Sequence, residues 1–122
     1  MAGGGGGIPV IRTPQGRLQG VEAVIDKDRT AVLLARAVRA SHLFILTEVE
    51  YVQEKFGLPD ATNIEYATAA RISELMELGE FPPGNMGPKI EAALDFLASG
   101  GQEVVITSLD ALPRKTGTHI HP

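Results

Sequence analysis

The chain has 122 residues, 43% of them hydrophobic, which is enough for one domain with a buried core but short for an enzyme that must bind two substrates. Its formal net charge of −4 argues against non-specific binding to nucleic acid, which requires clusters of Lys and Arg. The absence of Cys excludes disulfides, thiolate nucleophiles and Cys-based zinc sites, and it fits a reducing cytoplasm.

The first elements are predicted from glycine and turn signals. Residues 1–7 form a glycine-rich start that we expect to be flexible and that lacks the charged and apolar regions of a signal peptide. Residues 8–11 and 17–21 flank a turn at residues 13–16 and predict a β-hairpin. No apolar run approaches the roughly 20 residues that cross a bilayer, so we expect a soluble protein that is neither exported nor bound to a membrane.

A helix and then a strand are predicted in the next segment. Apolar residues recur across residues 28–40 at the spacing of one helix face, namely Ala31, Leu34, Ala35 and Val38. Residues 43–46 are apolar at every position, which is typical of a strand that is covered on both faces in a parallel sheet. Thr47 marks the carboxyl end of this strand.

The second half of the chain repeats this alternation. Residues 67–78 predict a helix, and a second helix opens at Pro88 and ends at a pair of glycines. Residues 104–106 predict a buried strand, and residues 118–121 a short edge strand. Because helices and strands alternate, the predicted fold is α/β, with an open, mostly parallel sheet and flanking helices. Ligands of such sheets bind beyond the carboxyl ends of the strands.

Charged residues at a predicted helix start form the first candidate site. Asp26 and Asp28 lie where an Asp most often caps free N–H groups and favours the positive end of the helix dipole. Lys27 lies between them, and a cation there works against the dipole unless an anion neutralises it. A bound phosphate would supply that anion.

A glycine loop that leads into the next helix is the second candidate site. Gly84 and Gly87 would let the backbone approach a ligand, and free N–H groups at the helix start would bind phosphate oxygens. Lys89 lies in the first turn, where the dipole again disfavours a cation. A plain connecting turn explains the loop equally well without the lysines, and the loop is not a Walker A sequence. Lys27 and Lys89 together favour a polyphosphate between the two helix starts.

A third candidate segment, residues 47–52, leaves the predicted strand at the edge where open sheets bind ligands. Tyr51 and Phe56 would cover an adenine base. Aromatic residues in such a place are as often part of the core or its rim, so both interpretations stay open.

The order and spacing of four segments resemble the carbamate kinases, which are amino-acid kinases: residues 4–10, 20–28, 45–47 and 87–89. The resemblance covers almost the whole chain but only the C-terminal part of a family member. The N-terminal lobe of the family, with its own glycine loop, another catalytic lysine and most of the carbamate site, has no counterpart here. The resemblance implies that residues 8–122 form the nucleotide-binding, C-terminal lobe of the amino-acid kinase fold.

The activity that the resemblance implies is reversible phosphoryl transfer, in which ATP and carbamate give ADP and carbamoyl phosphate, in the cytoplasm and commonly in arginine breakdown. Mg²⁺ would be held through the nucleotide phosphates. The missing lobe would come from a separate chain, or the chain would form a homodimer. The alternative is a truncated nucleotide-binding or assembly module without catalysis.

The resemblance also implies roles for individual residues. Lys27 and Lys89 would neutralise charge on the transferring phosphoryl group, and Asp28, helped by Asp26, would orient the lysines. The remaining residues would form the nucleotide site, and they are Thr47, Glu48, Tyr51, Gly84, Met86 and Gly87.

Four positions depart from the family pattern. Glu48 and Glu50 stand where Asp is usual, Asn85 stands where Ser is usual, and Leu58 stands where Lys is usual. A longer carboxylate moves its oxygens by about one carbon–carbon bond, which matters where a misplacement near 1 Å is costly. These departures therefore bear on nucleotide affinity more than on the fold.

The three histidines are weighed separately as metal ligands. His119 and His121 would share one face of a strand, but two ligands are too few for a closed metal site, and the sequence cannot place His42 beside them. We therefore expect three solvated surface histidines and no protein metal site.

Overall fold

The computed structural model describes residue 5 and residues 7–122, so most of the glycine-rich start predicted at residues 1–7 lies outside the described residues. The predicted hairpin is confirmed, because β1 (Val10–Arg12) pairs antiparallel with β2 (Leu18–Gly20). Its turn is closed by the backbone N–H of Gly16, which donates to the carbonyl of Thr13 at 2.8 Å. Every residue of these two strands is exposed.

Besides the β1-β2 hairpin, four strands form the main sheet, and the strands Val52–Glu54 and Thr62–Ile64 form a separate two-stranded ribbon. Three helices accompany them. The remaining strands are β3 (His42–Thr47), β4 (Val52–Glu54), β5 (Thr62–Ile64), β6 (Tyr66–Thr68), β7 (Glu103–Ser108) and β8 (Thr118–His121). The helices are α1 (Lys27–Ala37), α2 (Ala69–Glu77) and α3 (Met86–Ala98), and a 3-10 turn spans Leu112–Arg114. None of the described helices is long and apolar enough to span a bilayer.

The main sheet has the strand order β3-β7-β8-β6, while β4 and β5 pair only with each other. β3 runs parallel to β7 and β6 parallel to β8, whereas β7 and β8 are antiparallel. The predicted open, mostly parallel α/β sheet is therefore confirmed. The prediction of an edge strand at residues 118–121 was wrong, because β8 lies between β7 and β6 and bonds to both.

The core lies between one face of the sheet and the helices. Ile45 of β3, Ile106 of β7 and Ile120 of β8 are buried on that face, and α3 crosses it with Ile90 and Phe96. α1 and α2 pack on either side of α3. The three helices therefore lie on the same side of the sheet. Alternate residues of the strands point to the other side.

Two burial predictions were wrong. Phe44 and Leu46 of β3 are 53% and 45% exposed, because β3 is an edge strand whose second face carries no helix. In α1 the buried residues are Asp28, Val32 and Ala35, so Ala35 of the predicted apolar stripe is buried, but Leu34 and Val38 are exposed. The reason is the contact of α1 with α3, which draws the face that carries Asp28 inward.

Candidate active site

The start of α1 carries three charged residues with three different environments. Asp26 is the N-cap, and its Oδ1 accepts a hydrogen bond from the backbone N–H of Arg29 at 2.8 Å. Lys27 is exposed, and its side chain forms no hydrogen bond or ion pair within the part of the chain that the structure describes. Asp28 is buried. The sequence explanation of an Asp as a helix cap therefore applies to Asp26, and Asp28 has another role.

Asp28 and Lys89 form a buried ion pair between the first turns of α1 and α3. Lys89 Nζ donates to Asp28 Oδ2 at 3.0 Å, and the two side chains are 7% and 12% exposed, respectively. Removing either partner would leave an uncompensated charge in the interior. The structure thus brings together two of the predicted site residues and gives Lys89 a partner within the protein.

The glycine loop before α3 is a tight turn. The backbone N–H of Gly87 donates to the carbonyl of Pro82 at 2.9 Å, and a Cβ on Gly87 would lie 3.1 Å from that oxygen. Gly84 is exposed, with open space around its Cα. The side chain of Asn85, the N-cap of α3, makes no capping hydrogen bond. Gly87 therefore has a packing reason to be glycine, whereas the surroundings of Gly84 would accommodate a side chain.

A cavity of about 160 Å³ opens where β3 ends. Four of the six predicted nucleotide-site residues line it, and they are Thr47, Glu48, Tyr51 and Met86. Gly84 and Gly87 do not line it, and neither do the lysines. Its volume is below the roughly 300–1,000 Å³ of typical ligand sites, which suits the space for one part of a ligand rather than for a whole nucleotide.

The sequence had indicated Phe56 as a possible cover for a base, and Phe56 lines the cavity. Sequence reasoning missed the opposite wall, which is made of Glu80, Phe81 and Pro82 between α2 and α3. Glu80 also binds this wall to the ribbon, because its Oε2 accepts from the backbone N–H of Lys55 at 2.7 Å. No local motif marks these residues, and only the packing of α2 beside α3 brings them to the site.

Glu50 lies behind the cavity. Its Oε2 is 3.1 Å from Arg114 Nη2, and its Oε1 accepts a hydrogen bond from the Thr116 hydroxyl. The bond from Thr116, and then the guanidinium of Arg114, hold the pKa of the Glu50 carboxyl below its ordinary value. Glu50 therefore joins the loop after β3 to the segment before β8.

The histidines surround one carboxylate on the sheet face that carries no helix. Glu103 Oε1 lies 2.7 Å from His119 Nδ1 and 3.7 Å from His121 Nε2, while Oε2 lies 3.4 Å from His42 Nε2. The ring of His119 stacks on that of Tyr66 with centroids 5.1 Å apart. The hydrogen bond from His119 lowers the pKa of Glu103, and the charges of His119, His121 and His42 act in the same direction.

The expectation of three solvated histidines was therefore wrong for His119, which is half-buried and hydrogen-bonded. The parallel register of β3 and β7 places His42 directly beside Glu103, a pairing that cannot be read from the sequence. Residues 5 and 7–122 contain no group of three or more potential ligands that is arranged to hold a metal ion.

Comparison with known proteins gives the family of the chain. A model of the amino acid kinase family matches residues 4–108. The carbamate kinase-like protein YahI of Escherichia coli is 48% identical over 124 residues, which cover 98% of this chain and 39% of YahI. The carbamate kinase of Thermoplasma acidophilum is 40% identical over 124 residues, which cover 98% of this chain and 40% of that enzyme.

Solved structures agree with the sequence matches. The carbamate kinase from Giardia lamblia bound to AMP-PNP superimposes with a TM-score of 0.87 at 40% identity, over 96% of this chain and 38% of that one. The chain thus spans about two-fifths of the length of its relatives. It belongs to the amino acid kinase family, and it resembles carbamate kinases over nearly its whole length.

Proposed function

We propose that residues 8–122 are the nucleotide-binding lobe of a carbamate kinase-type phosphotransferase. The base of ATP or ADP would occupy the cavity at the end of β3, and the phosphates would lie at the starts of α1 and α3. The observation that carries this proposal is the ion pair between Asp28 and Lys89. It joins the two helix starts, and Lys89 follows only three residues after Met86, which lines the cavity.

The two lysines would have different tasks. Lys27 is exposed at the positive end of the dipole of α1, so a phosphate group would relieve an unfavourable placement. Lys89 is already held by Asp28, and this contact would keep its ammonium group directed at one place while a phosphoryl group passes. Asp26 would contribute by capping α1 and so fixing the backbone that carries Lys27.

The reaction would transfer the terminal phosphoryl group of ATP to carbamate. A carbamate oxygen forms the new bond to phosphorus, the bond from phosphorus to the bridging oxygen breaks, and ADP leaves with the electron pair. Such transfers are catalysed by positioning and by charge stabilisation rather than by covalent work of the protein. Mg²⁺ would enter with the nucleotide phosphates and neutralise part of their charge.

The acceptor site would be supplied from outside this chain. Phe44, Leu46 and Tyr66 are exposed large residues on the sheet, and an apolar surface of this kind favours a covering partner. A separate chain with the N-terminal lobe, or a second copy in a homodimer, would provide that cover. A cytoplasmic location and a place in arginine breakdown rest on the resemblance to carbamate kinases alone.

Nucleotide binding by the 122-residue chain tests the proposal. Calorimetry with Mg-ADP should detect binding that is weaker than that of a complete carbamate kinase, and Lys27→Ala should weaken it at least about fivefold, or roughly 1 kcal/mol. Arg39→Gln is the matched control, because Arg39 is an exposed cation just beyond the opposite end of α1. No binding at millimolar Mg-ADP would reject the nucleotide site, and equal binding by wild type and Lys27→Ala would reject the role of Lys27. Binding without any turnover in a two-lobe complex would favour the non-catalytic module.

A further inference from the structure

The loop after β3 forms one wall of the cavity, and one side chain of this loop does not face the cavity. Thr47, Glu48, Val49 and Tyr51 line the cavity, whereas Glu50 does not. The carboxylate of Glu50 reaches behind the wall to Arg114 and Thr116. The loop therefore presents its other residues to the cavity while Glu50 holds it from outside.

Both oxygens of this carboxylate are occupied. Oε2 accepts from Arg114 Nη2 at 3.1 Å, and Oε1 accepts from the hydroxyl of Thr116. Arg114 is itself fixed, because its Nη1 donates to the carbonyl of Asp110 at 2.9 Å. The guanidinium thus links the loop to the 3-10 turn rather than extending freely into water.

The segment that receives Glu50 is hydrogen-bonded to the sheet and packed closely against it. Thr107 Oγ1 of the central strand β7 donates to the carbonyl of Thr116 at 2.6 Å. Gly117 has a φ of +149°, and a Cβ there would lie 2.7 Å from Cβ of Thr107, so the backbone passes directly against β7. A loop tied to this segment is tied to the middle of the sheet.

A second hydrogen-bonded contact, or tie, connects the cavity wall to the same segment, at Thr118. The backbone N–H of Val52 donates to Thr118 Oγ1 at 2.8 Å, and that hydroxyl donates to the carbonyl of Ile64 at 2.5 Å. The wall is thus held at Val52 by Thr118 and within the loop by Glu50. Val52 uses its backbone for this contact, whereas Glu50 uses its side chain, so a substitution of Glu50 removes a contact made by the loop itself.

We infer that Glu50 is a positioning residue that holds the loop at residues 47–51 in the conformation that receives the nucleotide base. That the ligand is a nucleotide rests on the proposed function. That the loop is held in place rests on the contacts of Glu50 with Arg114 and Thr116. An exposed ion pair adds little to global stability, so the effect of Glu50 belongs to the local order of the loop. Glu50 acts through the backbone of its neighbours and does not contact the nucleotide.

Hydrogen exchange and nucleotide binding, both measured on the 122-residue chain, test the inference. In Glu50→Gln we expect amide exchange in residues 47–51 to speed up about tenfold, and Mg-ADP to bind about three- to tenfold more weakly, without a matching loss of melting temperature. Glu50→Asp keeps a charge for Arg114 and should stay within about threefold of wild type. Thr116→Val, which removes one of the two donors, should fall between Glu50→Asp and Glu50→Gln.

Glu54→Gln is the matched control. Glu54 lies four residues further along the chain, and its Oε1 is paired with Arg71 at 3.0 Å, but it does not line the cavity. Its substitution should leave both the exchange of residues 47–51 and the affinity for Mg-ADP unchanged. Unchanged loop exchange in Glu50→Gln would overturn the inference whether or not nucleotide binds. Faster exchange with unchanged affinity would overturn the positioning role. Faster exchange in a chain whose wild type binds no Mg-ADP would support the tie and reject the proposed function.

Discussion

Lys89 Nζ lies 3.0 Å from Asp28 Oδ2, and this pair is buried at the junction of α1 and α3. A lysine in the first turn of a helix opposes the dipole, and here a carboxylate of the neighbouring helix start compensates it. Lys27 has no such partner within the described residues. The two lysines look alike in the sequence, but they should respond to mutation in different ways.

Lys89→Ala should destabilise the chain by about 3–5 kcal/mol, because it leaves the Asp28 carboxylate buried without a counter-charge. Asp28→Asn should have a similar cost, since the ammonium group of Lys89 then lacks its counter-charge. The double variant should lose less than the sum of the two, as expected for groups in direct contact. Urea unfolding followed by circular dichroism measures all three.

Arg29→Gln is the control for this cycle. It breaks the ion pair of Arg29 with Glu91. The side chain of Arg29 is 71% exposed and that of Glu91 is 49% exposed. Such surface pairs contribute less than about 1 kcal/mol. If Lys89→Ala unfolded at the same urea concentration as Arg29→Gln, the ion pair of Lys89 with Asp28 would not stabilise the fold. The result also matters for function, because nucleotide binding by Lys89→Ala can be interpreted only where that variant is still folded.

Lys27→Ala should separate activity from stability. In a complex with a chain that supplies the N-terminal lobe, we expect kcat to fall about 100-fold or more, the usual effect of removing one preorganised charge from a transition state. The melting temperature should not fall, since Lys27 is exposed and works against the dipole of its own helix. Steady-state rates and thermal unfolding on the same preparation check both. Parallel losses of rate and melting temperature would make Lys27 a structural residue.

The sequence predicted the fold where its elements are long enough to show a period. The alternation of α1, β3, α3 and β7 was visible, because each has six or more residues with a characteristic apolar pattern. The strands β4, β5 and β6 have three residues each, which is too short for any pattern to stand out. Strand order follows from long-range pairing, so the central place of β8 was not predictable.

The candidate site was predictable where chemistry follows directly from a helix start or a strand end. Lys27, Asp28 and Thr47 were proposed in this way; Thr47 lines the cavity, Asp28 pairs with Lys89, and the role of Lys27 stays a prediction. The partnership of Asp28 with Lys89 spans 61 positions in the chain and exists only after α1 packs on α3. Glu103 carried no signal at all, because the three histidines around it come from two other strands, β3 and β8.

Glu103→Gln should remove a stabilising contribution that depends on pH. Its neighbours lower the pKa of the Glu103 carboxyl below the ordinary value of 4.5, with the hydrogen bond from His119 as the largest cause. The folded state therefore binds this proton less readily than the unfolded state does. The stabilisation is fully present above pH 4.5 and is lost as the pH falls through the lowered pKa of the folded state.

We accordingly expect Glu103→Gln to be about 0.5–1.5 kcal/mol less stable than wild type at pH 7, the usual net value of one hydrogen bond. The difference should shrink as the pH falls below 4.5. Urea titrations between pH 3 and pH 7 measure it, and Glu22→Gln, an exposed carboxylate, is the control that should show no such trend. A constant difference across this range would mean that the carboxylate of Glu103 is not stabilised by its histidines.

The chain by itself should make no carbamoyl phosphate from ATP and carbamate. Fixing an acceptor within reach of the donor can contribute about 7–11 kcal/mol to lowering a barrier. This chain spans only 39% of the length of YahI, and we propose that most of the acceptor site belongs to a second lobe. A coupled assay for ADP formation with carbamate, on rigorously purified protein, should therefore give only background, and Lys27→Ala should give the same background. Turnover at an ordinary enzymatic rate that Lys27→Ala abolishes would show that the chain assembles an acceptor site of its own, and the two-lobe proposal would then be wrong.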